Sequence, residues 1–296
     1  MTELVQLLVN GLVTGSVIAI GAVGVSLVFG ILKIINFAHG DYLTFGAFTA
    51  LYANLTLGLG LVAAALFAVA ATLALSVVLE YALWRPMRRR RAGTFSLFIV
   101  SIGLALILRD MIFLIAGPQS RRYDVDVFQV YTLGDIRLSQ SQLIAIAIAA
   151  VVILAVGLLL ARTPFGRSIR ALSDDPELAA VAGIDTGRAV VYTWMLAGAL
   201  AGLGGVLSGL IQTSFDPNMG SLILLPIFAA VVLGGIGSAY GALVGGLVLG
   251  VAMELSTWDA LAGGISPVYK PVVAFGVLGL GLLLRPQGLF GRARLA

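Results

Sequence analysis

A cluster of polar residues lies between two long apolar segments near residue 36. Lys33, Asn36, His39 and Asp41 place a cation, an amide, an imidazole and a carboxylate within nine residues. Imidazoles and carboxylates can bind metals or transfer protons. However, His39 is the only histidine and the chain has no cysteine, which argues against a metal site within one chain. A catalytic His–Asp pair would need a nucleophile, and no G-x-S-x-G turn lies near His39. We therefore predict neither a catalytic residue nor a metal site.

What this cluster could do depends on its environment. Polar groups at membrane depth are costly and usually face a cavity, a pathway or a partner. Gly40 would permit a break in the helix, which frees backbone groups beside a pore. We therefore treat Asn36, His39, Gly40 and Asp41 as candidates for lining or shaping a translocation path. The alternative is a short cytoplasmic loop with ordinary polar residues, and the spacing alone favours neither.

The elements around the cluster are those of a polytopic membrane protein. Hydrophobic residues are 60% of the 296 and charged residues 11%, with a mean hydropathy of +1.07. A membrane-spanning helix needs about 20 apolar residues. Eight stretches approach or exceed that length: 4–30, 42–58, 60–84, 94–116, 141–161, 189–212, 222–253 and 268–284. They are apolar on all faces, which predicts helices and not a barrel. The first lacks a basic region and a cleavage site, so we read it as a retained span.

Arginines set the predicted orientation. The loop 85–93 carries five arginines and should be cytoplasmic. Counting outward places 162–188 on the same side and the N-terminus outside, together with the loops 54–60, 117–140 and 213–221. Three aspartates match the arginines of the loop 117–140: Asp124, Asp126 and Asp135. A net charge of +4 could suggest nucleic-acid binding. However, the arginines lie at span ends, so membrane topology explains them better.

The stretch 222–253 is too long for one crossing. A single helix of 32 residues would run about 48 Å, against a hydrocarbon core of about 30 Å. Gly234, Gly235, Gly237 and Ser238 mark where it is predicted to break and return, which places the tail with Arg285, Arg292 and Arg294 inside. The alternative is one long tilted helix. We predict an all-α membrane protein of eight or nine transmembrane helices with broken or re-entrant segments, a periplasmic N-terminus and a cytoplasmic C-terminus.

The cytoplasmic segment 163–188 contains a predicted short helix. Ser173 or Asp174 can cap it, Pro176 suits its first turn, and Glu177 lies near its positive end. Leu178, Val181 and Ala182 form a small apolar face, and Gly183 is a plausible stop. An apolar ridge with a charged rim suits docking to a soluble partner. The alternative is a helix lying flat on the lipid, which the acidic cluster opposes. The candidate docking residues are Arg167, Arg170, Ser173, Asp174, Asp175, Glu177, Leu178, Val181 and Gly183.

Other motifs limit what the chain could do. The glycines of 234–241 do not have the spacing of a dinucleotide-binding fingerprint. No P-loop sequence exists, because neither lysine follows a glycine. Four charged residues lie near span ends, where snorkelling or local pairing is expected, and we assign them no function: Glu80, Arg109, Asp110 and Glu254.

Four motifs taken together resemble a known family. They are Asn36-Phe-Ala-His-Gly-Asp41, then Arg85-Pro-Met-Arg88, then Gly166-Arg-Ser-Ile-Arg-Ala171 with Gly183-Ile-Asp-Thr-Gly-Arg188, and last Ala230-Val-Val-Leu-Gly-Gly-Ile-Gly-Ser-Ala-Tyr-Gly241. The chain resembles the LivH-type permease subunit of bacterial ABC importers for branched-chain and other hydrophobic amino acids. Each motif is modest alone, but four in the family's order over nearly the whole chain are specific. Asp41 stands where glutamate is common in the family.

The resemblance implies one permease domain over 1–296, with 163–188 as the coupling loop that docks on an ATPase. It implies three kinds of protein partner besides the lipid bilayer of the inner membrane, and no nucleic acid. They are a homologous second permease subunit (LivM-like), two ABC ATPase subunits and a periplasmic substrate-binding protein. The chain itself would bind no cofactor and would not be an enzyme, since ATP and Mg²⁺ would sit on the ATPase subunits. The alternatives are a urea or amide permease of the same superfamily and an ion-coupled secondary transporter.

Overall fold

The computed structural model describes residues 2–124, 129–133, 136–259 and 263–290. Within them the chain folds into twelve α-helices. In chain order these are α1 (Thr2–Leu32), α2 (His39–Leu55), α3 (Leu61–Leu79), α4 (Arg85–Arg89), α5 (Thr94–Ala116), α6 (Gln140–Arg162), α7 (Pro164–Asp174), α8 (Pro176–Val181), α9 (Thr186–Ile211), α10 (Met219–Gly234), α11 (Ala239–Leu255) and α12 (Lys270–Leu284). The helical prediction is confirmed, except for a small antiparallel hairpin of β1 (Val130–Leu133) and β2 (Ile136–Ser139).

Helix α3 continues into α4 through a π-helical turn, Glu80–Trp84. Pro86 follows this turn, and a proline inside a helix removes one hydrogen bond and crowds the carbonyl four residues before it. A wider π turn accommodates such crowding. The result is one helical run, Leu61–Arg89, which ends in the arginines that the sequence assigned to a loop.

The helices form an inner group and an outer group. In the most apolar part of α1, 89% of the residues are buried, whereas the same share for α12 is 6%. Helices α1, α2, α9, α10 and α11 make the interior, and α3, α5, α6 and α12 lie around it. The outer helices expose large apolar side chains such as Leu66, Ile107 and Leu283. Six helices of the described residues are long and apolar enough to cross a membrane, while α10 and α11 have only 16 and 17 residues.

Small residues allow the interior helices to approach closely. A Cβ atom added to Gly15 of α1 would lie 2.9 Å from the Leu247 Cα of α11. Such contacts drive helix association in lipid, where apolar burial gives little advantage. Many of the glycines therefore serve packing, as the composition suggested.

The connecting segments gather at two ends of the bundle. The arginine end contains α4, α7, α8, the turn between α10 and α11, and the tail, because the Leu289 N–H donates to the Leu233 carbonyl at 2.8 Å. The hairpin end contains the start of α1, where the Gln6 amide donates to the Arg137 carbonyl at 3.0 Å. The tail therefore returns to the end that carries the arginine-rich turn. Asp126, Asp135, Arg292 and Arg294 lie outside the described residues.

Candidate translocation path and coupling surface

The chain between α1 and α2 is not helical, although it lies inside the bundle. Residues 33–38 form an irregular segment, and the backbone of Lys33 has a φ of +52°. Ser101 of α5 satisfies part of this backbone: its Oγ accepts from the Phe37 N–H at 3.2 Å and lies 3.2 Å from the Ile35 carbonyl. The Asn36 side chain accepts from the Ala38 N–H at 3.1 Å. Irregular backbone at membrane depth is tolerated where protein surrounds it, and Ile34, Asn36 and Ala38 of this segment are buried, whereas Ile35 is 39% exposed.

The break lies before Gly40 and not at it, which corrects the sequence interpretation. Gly40 is in the first turn of α2, where it packs against the backbone of Gly220 at the start of α10. The Gly220 N–H donates to the Thr44 hydroxyl at 2.9 Å. Gly40 is needed because a Cβ there would meet the Gly220 backbone. The two short helices α2 and α10 thus meet at their N-terminal ends, inside the bundle.

Asp41 forms a buried ion pair that the sequence did not predict. Its side chain is fully buried, and Arg109 of α5 donates to its two oxygens at 3.1 and 3.4 Å. Arg109 lies about 22 Å along α5 from the start of the helix, well inside its apolar length. The expectation that Arg109 pairs locally is wrong, because its partner is 68 residues away. Glu80 does pair within its own helical run, with Arg88, and Glu254 pairs with Lys270 of α12 at 2.7 Å.

Several buried polar atoms converge beside the start of α2. Six such side-chain atoms lack a hydrogen bond of good geometry in the part of the chain that the structure describes. Five belong to one cluster, in which the Tyr42 hydroxyl faces the Trp84 indole and the Asn36 amide, the two tryptophans stack at 5.6 Å between ring centroids, and His39 adjoins Tyr42. These five residues are Asn36, His39, Tyr42, Trp84 and Trp194. Buried groups of this kind usually bind water or a solute.

The predicted break near Gly234–Gly241 is confirmed. Helix α10 ends at Gly234, and Gly235 and Gly237 have φ angles of +104° and +85° that other residues rarely adopt. Ser238 begins α11 by accepting from the Gly241 N–H at 3.0 Å. The alternative of one long tilted helix is therefore wrong.

The segment 163–188 contains two helices, α7 and α8. Helix α7 was not predicted, although Thr163 caps it and Pro164 occupies its first turn, which are recognisable signals. Ile169 and Leu172 bury its apolar side, while Arg170 donates to the Leu160 carbonyl at the end of α6.

Helix α8 has the predicted apolar ridge. Its cap is Asp175, which accepts from the N–H groups of residues 177 and 178, whereas Ser173 and Asp174 belong to the last turn of α7, so the predicted cap is corrected by one residue. Leu178 and Val181 are 66% and 86% exposed. Gly183 has a φ of +82° and follows the helix, as a C-terminal stop requires. The charged rim lies in exposed positions: Arg167, Arg170, Asp174, Asp175 and Glu177.

The segment 163–188 lies beside one irregular segment of the interior and near the other. The Lys33 ammonium donates to the Gly30 carbonyl at 2.8 Å and lies 3.5 Å from the Ser173 carbonyl at the end of α7. A Cβ on Gly30 would lie 3.3 Å from the Gly237 carbonyl in the turn between α10 and α11. The end of α7 therefore lies beside Lys33 at the start of 33–38, and Gly30 of α1 is close both to Ser173 of α7 and to the turn 235–238.

Comparison with known proteins identifies the family of the chain. The family model for the permease component of branched-chain amino acid transport systems matches residues 7–281. The chain belongs to this permease family. The resemblance found from four motifs is therefore confirmed, and so is a multi-pass location in the inner membrane.

Members and neighbours of the family match almost the whole chain. The high-affinity branched-chain amino acid permease BraD of Pseudomonas aeruginosa is 33% identical, over 97% of this chain and 95% of BraD. LivH of Escherichia coli K12 is 31% identical, over 97% of this chain and 95% of LivH. The E. coli ribose import permease RbsC is 29% identical, over 94% and 84%. Among solved structures, PsaBC from Streptococcus pneumoniae in complex with Fab has a TM-score of 0.50 at 14% identity, over 95% of this chain and 92% of that one, a likeness of fold alone.

Proposed function

We propose that the chain is the membrane-spanning permease subunit of an ABC importer for branched-chain amino acids. Family membership supports the transport class, and BraD and LivH, which are 33% and 31% identical over 97% of this chain, are named for branched-chain amino acids. The urea permease and the ion-coupled transporter are less favoured, because these relatives are named for neither. The solute class follows from those names, and the mechanism below follows from the geometry.

In this proposal the chain works with separate subunits. A second, homologous permease completes the path, two ATPase subunits bind ATP and Mg²⁺, and a periplasmic protein delivers the solute. The arginine end faces the cytoplasm because arginine-rich segments are retained there. The N-terminus and the hairpin end then face the periplasm, and the tail lies inside.

The observation that carries the coupling mechanism is the exposed ridge of α8 and its continuity with the interior. Leu178 and Val181 project from the arginine end, where no element of the described residues covers them, as expected of a docking surface. Helix α7 precedes α8 in the same segment and ends beside Lys33, and Gly30 of α1 lies close both to this end of α7 and to Gly237. Closure of the ATPase subunits would shift α7 and α8 as a rigid unit.

That shift would act on the two irregular segments, 33–38 and 235–238. They precede the short helices α2 and α11, and irregular segments can change backbone angles more easily than helices. ATP drives the change only if it binds one conformation more tightly than the other. The polar start of α2, with Asn36, His39 and Asp41, lies on the proposed path, since these side chains are buried and His39 Nε2 has no hydrogen-bond partner among the described residues.

Uptake by the reconstituted complex tests the function. Proteoliposomes would contain this chain, its second permease and its ATPases, with the binding protein and radiolabelled leucine outside. We expect leucine uptake only with ATP in the ATPase compartment, and none by the chain alone under a sodium or proton gradient. Accumulation by the chain alone would contradict the proposal.

A further inference from the structure

A basic cavity opens at the arginine end between the end of α3 and the start of α9. Its volume is about 650 Å³, and its walls contain four arginines and two carboxylates. The arginines are Arg85, Arg88 and Arg89 on one wall and Arg188 on the other. A second cavity of about 360 Å³ adjoins it around Arg85, Arg89 and Arg90.

The carboxylates of the cavity already have partners, but two arginines are available. Glu80 is buried and bound by Arg88, while Asp185 pairs with Arg188 at 3.1 Å. Arg85 lies over the Tyr81 ring, 5.3 Å from its centroid, and Arg89 is exposed. Among the described residues, neither Arg85 nor Arg89 forms a salt bridge. The cavity therefore presents two uncompensated positive charges.

The position of the cavity indicates the kind of anion. It lies where the apolar run Leu61–Arg89 ends, so that lipid-facing side chains lie immediately beside the arginines. Val78 and Tyr81 are 60% and 50% exposed on this run, and tyrosine is typical of the membrane–water interface. A ligand that fits has a phosphate for the arginines and acyl chains for the apolar side of α3. Basic pockets between transmembrane helices bind the headgroups of anionic lipids.

We propose that this cavity binds the phosphodiester headgroup of an anionic phospholipid. Arg85 and Arg89 hold the phosphate from one wall, and Arg188 approaches it from the other. The lipid would then contact both the end of α3 and the start of α9, close to the stacked pair Trp84 and Trp194. Helix α9 begins just after the α7–α8 segment. The bound lipid would therefore hold α9 in place against α3 while that segment moves.

Native mass spectrometry of the purified complex tests the site. The complex would be delipidated in a neutral detergent and offered phosphatidylglycerol and phosphatidylcholine with identical acyl chains. We expect one phosphatidylglycerol to be retained preferentially. In the variant Arg85→Gln/Arg89→Gln its retention should fall roughly tenfold or more, given the contribution of each cation near an anionic headgroup.

Matched variants separate the site from general charge and from misfolding. Arg121→Gln/Arg122→Gln removes two exposed arginines at the hairpin end and should retain the lipid, and Arg85→Lys/Arg89→Lys should retain most of it. Equal retention of the two lipids, or unchanged retention in the glutamine variant, would overturn the proposal. So would displacement of phosphatidylglycerol by millimolar inorganic phosphate, which would indicate a free-anion site. Loss of ATPase co-purification with unchanged lipid retention would indicate a protein interface and would also overturn it.

Discussion

At the scale of single residues, the ion pair between Asp41 and Arg109 is the feature with the largest desolvation cost. Asp41 is completely buried and the Arg109 side chain is about one-quarter exposed, at 23%. Removing two charges from water is costly, and the attraction between the two side chains offsets this cost only while both are present. The pair joins α2 to the outer helix α5 beside the proposed path.

Breaking this pair should destabilise the protein strongly. Arg109→Leu leaves the Asp41 carboxylate buried without a partner, which typically costs about 3–5 kcal/mol. We expect a clear fall in the thermal unfolding midpoint of the detergent-purified protein, and partial recovery in the double variant Asp41→Asn/Arg109→Leu.

The neighbouring residue provides the control for that experiment. Asp110 is exposed on α5, and Asp110→Asn removes one charge without leaving a buried partner. Its unfolding midpoint should stay close to that of the wild type. Equal losses in Asp110→Asn and Arg109→Leu would contradict the role given to the ion pair.

At the scale of elements, two irregular segments interrupt the interior helices, and other elements donate or accept hydrogen bonds at the first segment and at the helix end beside the second. Ser101 of α5 binds the backbone on both sides of Asn36. The tail binds the end of α10 through the N–H groups of Leu289 and Phe290. These partners keep non-helical backbone inside an apolar bundle.

Removal of the Ser101 hydroxyl should loosen the segment 33–38. Ser101→Ala leaves the partly buried Phe37 N–H without its acceptor, at a cost of about 1–3 kcal/mol if the group stays out of water. Hydrogen–deuterium exchange should become faster in this segment. Ser96→Ala, an exposed serine on the same helix, is the control and should leave exchange unchanged. Unchanged exchange in both variants would show that Ser101 does not hold the segment.

Local signals predicted some elements and missed others. The break at Gly234–Gly241 was predictable because its glycines and the excessive length of the stretch are both local properties. Helix α8 was predictable from Pro176, Glu177 and its apolar spacing. Helix α7 was not predicted, although Thr163 and Pro164 form a helix start signal. The hairpin was not predicted because the loop around it has the composition of a polar linker.

Long-range contacts set a limit on prediction. Arg109 and Asp41 are far apart in the sequence, and nothing local identifies the partner of either. An arginine inside an apolar span was nevertheless a usable signal, since such residues pair within the bundle. The same holds for Trp84 and Trp194, whose stacking depends on how α3 packs on α9.

At the scale of the whole molecule, the two ends of the bundle differ in charge and in the elements that they expose. The arginine end contains the arginine-rich turn, the α8 ridge and the basic cavity. The hairpin end contains the hairpin and the start of α1. This division is the basis of the proposed orientation.

Single cysteines can test the orientation cleanly, because the chain contains no cysteine. Ala180→Cys places a thiol on exposed α8, and Ser120→Cys places one in an exposed position at the hairpin end. A membrane-impermeant maleimide added to intact spheroplasts should label residue 120 and leave residue 180 unlabelled until the membrane is opened. Labelling of residue 180 from outside would reverse the proposed topology.

The central claim is that the α8 ridge connects this permease to its ATPases, and one measurement tests it most directly. In the reconstituted complex, ATP hydrolysis would be measured with and without leucine-loaded binding protein. Leu178→Glu/Val181→Glu should abolish the stimulation by loaded binding protein and the uptake of leucine, because it places charges on the exposed ridge. Ala180→Glu, on the opposite side of the same helix, should retain most of both. Normal stimulation and uptake in the ridge variant would contradict the claim.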